Sequence, residues 1–266
     1  MSSITHLSGQ EILDSRGRPT VKATVSLESG ASASASVPSG ASTGGAEAVE
    51  LRDGDPSRYG GLGCRRAVAH IEGEIRTALR GASFVHPFEL DQRLTELDGT
   101  PDKSRLGANA LLAVSLAFTR ARAAEEGIPL YRFFSQLIDE EIRCLPRLTV
   151  NLFSGGLHAG EILPVQDCLV VPRAATTIDD SLAMTYAVYQ CAAELVRSRY
   201  GMRLLTADEG GLSPDFRGVE EMFELAVAAI RRAGLTPGED MALAIDVAAS
   251  HFFNEGRYHL GGDAVD

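Results

Sequence analysis

Leu148-Thr149-Val150-Asn151-Leu152-Phe153 and Val165-Gln166-Asp167-Cys168-Leu169-Val170-Val171 are two short, nearly unbroken apolar runs. Runs of this length suit strands covered on both faces. A long helical pattern follows, with Leu182, Tyr186, Tyr189, Ala193 and Val196 spaced for one helix face and Gly201 as its stop. A second helix carries Met222, Phe223, Ala226, Val227 and Ile230 and ends at Gly234. Met241-Ala242-Leu243-Ala244-Ile245-Asp246 then reads as a third buried strand. Two strands, two helices and a strand form the opening of a β/α sheet. Phe252 to Leu260 reads as a small hairpin turning at Asn254-Glu255-Gly256.

Upstream the pattern differs. Val21, Ala23, Val25 and Leu27 alternate with polar residues, and Ala31, Ala33, Ala35 and Val37 alternate with serines after a turn at Gly30. That period of two predicts a hairpin, with Ile4 to Leu13 as a third strand. Helical periodicity covers Cys64–Arg80, Phe88–Leu97 and Gly107–Glu126, the last with a stripe of Ala108, Leu111, Leu112, Ser115 and Leu116. The expected division is a domain of β-meander plus helices over 1–140 and a segment that begins a β/α sheet over 141–266.

The whole-chain numbers agree with two globular domains. The chain has 266 residues, 44% hydrophobic and 23% charged, which excludes a mainly disordered protein. Its net charge of −11 and lack of a basic cluster argue against nucleic acid as a partner. No apolar run is long enough for a membrane helix, and Met1 to His6 shows no secretory signal, so a cytoplasmic location without membrane attachment is expected. Cys64, Cys144, Cys168 and Cys191 follow no zinc spacing and are expected to be reduced thiols.

Polar residues at the ends of the apolar runs are the candidates for chemistry, because barrels gather function at the C-terminal ends of their strands. They are Gln166-Asp167, Asp208-Glu209-Gly210-Gly211 and Asp246. A carboxylate inside an apolar run is costly to bury unpaired, so Asp246 is either held by backbone N–H groups or a metal ligand. Taken singly, Asp208–Gly211 reads as a turn with exposed acids and His158 as an ordinary histidine. The Pro38–Gly45 loop containing Ser39 is a plain loop, a phosphate cradle or a lid.

Together these segments resemble the enolase family in order and spacing. The resemblance rests on Ile12-Leu13-Asp14-Ser15-Arg16-Gly17-Arg18-Pro19-Thr20-Val21, on Val37 to Gly44 and on Glu47 to Asp55. It continues through Leu97 to Ser104, Leu106 to Ala110, Asp208-Glu209-Gly210-Gly211 and Ile245-Asp246. It implies an α+β N-terminal domain followed by an incomplete enolase-type barrel with a β-β-α-α start. It also implies Mg²⁺-dependent dehydration of 2-phosphoglycerate to phosphoenolpyruvate, a step of glycolysis, by a lyase that forms a homodimer. By this resemblance Glu209 matches the general acid, and Asp167 falls at a second catalytic carboxylate. Asp246 matches a Mg²⁺ ligand, and His158 and Gln166 match substrate contacts. Ser39 matches a loop serine that joins both substrate and a second Mg²⁺.

The sequence departs from the family at several of these places. Asp167 stands where the family has a glutamate, Gly160-Glu161-Ile162-Leu163-Pro164 replaces a stretch rich in acids and asparagines, and His251 replaces a glutamate. The family's remaining metal carboxylates and its lysine base belong to later strands, and the lysines here are Lys22 and Lys103 alone. Two alternatives follow. One is a specialised paralogue that acts on a phosphonate carboxylic acid in phosphonate or phosphinate antibiotic biosynthesis, forming a carboxyphosphonoenolpyruvate-type product. The other is a truncated, non-catalytic binding or scaffolding protein.

Overall fold

The computed structural model describes residues 3–40, 44–156, 159–160, 163–201, 205–207, 210–260 and 263–265. Internal contacts divide the chain into two compact units, Met1–Cys144 and Leu145–Asp266.

The first unit is a three-stranded antiparallel sheet, β1 (Ile4–Leu13), β2 (Pro19–Leu27) and β3 (Ser32–Val37), with helices on one face. The alternation in β2 buries Val21, Ala23, Val25 and Leu27, as the pleat requires. The first helical stretch runs as α1 (Arg65–His70), a π-turn (Ile71–Ile75) and α2 (Arg76–Leu79). It turns Ala67, Ile71, Ile75 and Leu79 into the core. α3 (Pro87–Asp98) starts with proline in its first turn and stops at Gly99 in the left-handed region (φ 71°). α4 (Ala108–Glu125) and α5 (Leu130–Leu137) complete the unit.

Two expectations change here. α4 buries Ala110, Ala113, Val114, Ala117, Phe118 and Ala121, whereas Leu112 is 47% exposed. The helix lies close on β2 and β3 through its alanines, so small size selects the buried face. The eight-residue α5 has too few turns for its period to register before the fold is known.

The second unit has the β-β-α-α order. β4 (Val150–Ser154) pairs antiparallel with β5 (Asp167–Pro172), and β5 pairs antiparallel with β6 (Met241–Asp246). α6 (Ile178–Tyr200) and α7 (Val219–Arg232) form the crossover between β5 and β6. These three strands open a β/α barrel, and they do not close one among the described residues. A meander of β7 (Phe253–Asn254), β8 (Arg257–Leu260) and β9 (Asp263–Val265) follows, its first turn formed by Glu255 and Gly256 at φ 49° and 78°. Among the described residues no helix is long and apolar enough to cross a membrane.

α6 also turns a different face inward than its large apolar residues suggest. Ala193 and Val196 are buried as expected, but the first half of the helix buries Ser181, Thr185, Val188 and Ala192, while Leu182 and Tyr186 are 55% and 67% exposed. The Ser181 and Thr185 hydroxyls donate to the carbonyls of Thr177 (2.9 Å) and Ser181 (2.7 Å), so burying them leaves no donor unmet. β6 is buried at Met241, but Ile245 and Asp246 are exposed. β5 covers one edge of β6, and no strand covers the other among the described residues.

Candidate functional site

The second unit places its polar residues at one end of the β4–β5–β6 sheet. Strand register sets Ser154 opposite Asp167, and Asp167 opposite Asp246. Asp167 is 3% exposed, and its Oδ1 accepts hydrogen bonds from Asn151 Nδ2 (2.6 Å) and Ser154 Oγ (2.7 Å). Asn151 Nδ2 also reaches Ser154 Oγ at 2.9 Å. Gln166 Nε2 lies 3.3 Å from both Asp167 Oδ2 and Asp246 Oδ2. The other Asp246 oxygen accepts the Ala248 backbone N–H at 3.0 Å. Asn151 Oδ1 and Gln166 Oε1 are buried and have no partner among the described residues.

Three glycines make room for this network. A Cβ on Gly211 would fall 2.4 Å from Ser154 Oγ and 2.7 Å from Asn151 Oδ1. One on Gly155 would fall 2.5 Å from the Val165 carbonyl oxygen. Gly156, at φ 55°, lies against Gln166, and a Cβ there would sit 3.2 Å from Gln166 Cα. Leu212 runs beside the end of β4: its N–H donates to Leu152 O (2.9 Å), and its carbonyl accepts from Ser154 N (3.0 Å). The Tyr189 hydroxyl of α6 donates to the Gly210 carbonyl at 2.9 Å. Burial beside Asp167 pushes the Cys168 thiol up to about 12, so it stays protonated and supplies no thiolate.

Ser39 lies in the first unit, on a cleft of about 610 Å³ also lined by Arg18, Glu50, Arg52 and Asn109. Its hydroxyl donates to Glu50 Oε2 (3.0 Å) and accepts from Arg52 Nη2 (2.7 Å), and Arg16 donates to its carbonyl. Arg52 also pairs with Glu50 at 2.7 Å.

The expected site residues therefore fall into three groups. Gln166, Asp167 and Asp246 come together at one sheet end. Ser39 is held in a separate network by Glu50 and Arg52. His158 and Glu209 lie outside the described residues. The burial expected of Asp246 is corrected: its carboxylate is exposed, with one oxygen held by a backbone N–H and the other by Gln166. Asn151 and Ser154 were missed as partners of Asp167. The one available signal was two polar side chains at the end of an otherwise apolar run.

The architecture is that of a two-domain protein in which an α+β unit precedes β/α-barrel strands carrying carboxylates at their ends. Residues 4–134 match the enolase N-terminal domain, and residues 142–266 match the enolase C-terminal TIM barrel domain. The chain belongs to the enolase family, and an enolase-superfamily function follows in general terms.

Proposed function

We propose that this protein binds a small phosphorylated carboxylic acid with Mg²⁺ and takes part in dehydrating 2-phosphoglycerate to phosphoenolpyruvate. The observation that carries this reading is the pairing of Asp167 with Asp246 at the sheet end, bridged by Gln166. The donor set suits Mg²⁺, which favours carboxylate oxygens and retained waters. Asp246 offers the exposed carboxylate for the metal, and Gln166 Oε1, buried and without a partner among the described residues, is left for the substrate. When bound, Mg²⁺ supplies positive charge against the negative charge that builds on the substrate carboxylate as its α-proton leaves.

In this reading Asp246 holds the metal, and Glu209 donates the proton that the departing hydroxyl takes with it. Asp167 is the second active-site carboxylate. His158 and the Gln166 carbonyl oxygen contact the substrate. Ser39 is read as the loop serine that joins the substrate and a second Mg²⁺; its hydroxyl is held by Glu50 and Arg52. The domain boundary falls near residue 140, and the protein works in the cytoplasm as a homodimer. The α-proton passes to a base that this reading does not assign to any of residues 145–266; Lys22 and Lys103 both lie in the first unit.

A second reading is a paralogue acting on a phosphonate carboxylic acid. Asp167 favours it, because the shorter acid is drawn into a buried network with Ser154 and Asn151. One experiment separates these readings: calorimetric titration with 2-phosphoglycerate and a phosphonate analogue, with and without Mg²⁺, plus mass spectrometry of the products. Mg²⁺-dependent binding of 2-phosphoglycerate with phosphoenolpyruvate formed supports the first reading. Preference for the phosphonate supports the second. Absence of Mg²⁺-dependent binding to either overturns both and leaves a non-catalytic role.

A further inference from the structure

We infer that Gln166 is a positioning residue: its side-chain amide ties the buried Asp167 to Asp246 and so sets the direction of the Asp246 carboxylate. The inference rests on the proposal above that Asp246 is a Mg²⁺ ligand, and it assigns the Gln166 nitrogen a task that substrate contact alone does not require.

The β5–β6 register sets two acids directly opposite each other. Like charges at such a cross-strand pair repel. An amide nitrogen carries two hydrogens and no lone pair to offer, so it can donate to both acids at once. Gln166 Nε2 stands 3.3 Å from one oxygen of each. The reversed amide would turn Oε1 toward two carboxylates, so the charges themselves fix its orientation.

The two ends of this bridge differ. Asp167 is immobilised: it is buried, and its other oxygen takes the Asn151 and Ser154 donors at 2.6 and 2.7 Å. Asp246 is exposed, and among the described residues its other oxygen has only the Ala248 N–H. Gly156, by lacking a Cβ, leaves room for Gln166: a Cβ there would sit 3.2 Å from Gln166 Cα and 3.5 Å from its Cβ. The anchored acid therefore holds the amide, and the amide holds the exposed acid. Groups that orient a metal-binding side chain in this way change metal affinity by about 10–100-fold.

The test uses the full chain and Mn²⁺ alone as probe, followed by electron paramagnetic resonance of the free ion, with no substrate present. Four proteins are compared: unsubstituted, Asp246→Asn, Gln166→Met and the double variant. Circular dichroism checks that each is folded. Asp246→Asn is expected to weaken Mn²⁺ binding most. Gln166→Met is expected to weaken it about 10–100-fold, with no further loss when added to Asp246→Asn. If Gln166→Met does not fold, Asp167→Asn removes the anchoring charge at nearly constant shape and takes its place. Unchanged affinity in Gln166→Met, or in that substitute, alongside weakened Asp246→Asn overturns the positioning role and leaves Asp246 as a ligand. Unchanged affinity in Asp246→Asn, or no Mn²⁺ binding by the unsubstituted chain, overturns the ligand assignment and this inference with it.

Discussion

Replacing Gly211 with alanine tests how tightly the Asp167 network is packed. The new Cβ would lie 2.4 Å from Ser154 Oγ and 2.7 Å from Asn151 Oδ1, where ordinary contact begins at 3.4 Å. Neither neighbour can yield freely, because both hold Asp167 Oδ1. Overpacking a core by one methyl costs about 1–3 kcal/mol. Turning Ser154 away forfeits a hydrogen bond to a buried charge, a further ~1.5–3 kcal/mol. We expect Gly211→Ala to cost about 3 kcal/mol locally. Ser154→Ala alone loses the same bond without the clash and should cost about 2 kcal/mol. In the double variant the worst contact is gone, so its cost should fall short of the sum by at least ~1 kcal/mol, as coupled neighbours do.

With two domains and no tryptophan, a fluorescence melt is a poor reporter of this one site. Hydrogen exchange of the Ser154 and Leu212 amides is a better one, since these join the Gly211 segment to β4. At ~1.4 kcal/mol per tenfold, Gly211→Ala should accelerate their exchange about a hundredfold. Exchange at the unsubstituted rate, or additive costs in the double variant, would refute this account of the network.

Two further predictions concern each unit in turn. In the first unit, burial works against the Asp98 charge, but Thr100, the Leu106 N–H (2.7 Å) and Arg105 outweigh it and hold the carboxyl below its usual value of 3.8. The contribution of Asp98 is thus complete above that value and lost as pH falls through the lower folded one. Asp98→Ala should cost about 3 kcal/mol at pH 7 and flatten the acid limb of a stability profile followed by circular dichroism; an unchanged acid limb would count against it. In the second unit, Leu182→Ser and Tyr186→Ser should each change stability by less than ~0.5 kcal/mol because both side chains are exposed. Val188→Ala should cost about 1–3 kcal/mol in the same denaturation measurement; the opposite ranking would return the large residues to the buried face.

The elements themselves were legible because their periods are local. Alternation marked β2 and β3, and Gly201 and Gly234 marked where α6 and α7 stop. Helix faces were less legible, because α4 and α6 are selected by how closely a helix can approach a sheet. Alanine, serine and threonine answer that requirement better than leucine or tyrosine once their hydroxyls find carbonyls. The site divides along the same line. Asp167 and Asp246 stand out singly as acids in apolar runs, but their meeting depends on the β5–β6 register, which joins residues 79 positions apart. A slip of one residue would turn one acid to the other face of the sheet. Gln166 sits one residue before β5, where its carbonyl accepts from Gly155 N (2.6 Å) and carries the β4–β5 register one pair past the strand ends. At that end its side chain reaches the acid beside it and the acid on the next strand at once. That reach belongs to the end of the sheet, where Gly155 and Gly156 let two backbone segments approach, and no stretch of sequence carries it alone.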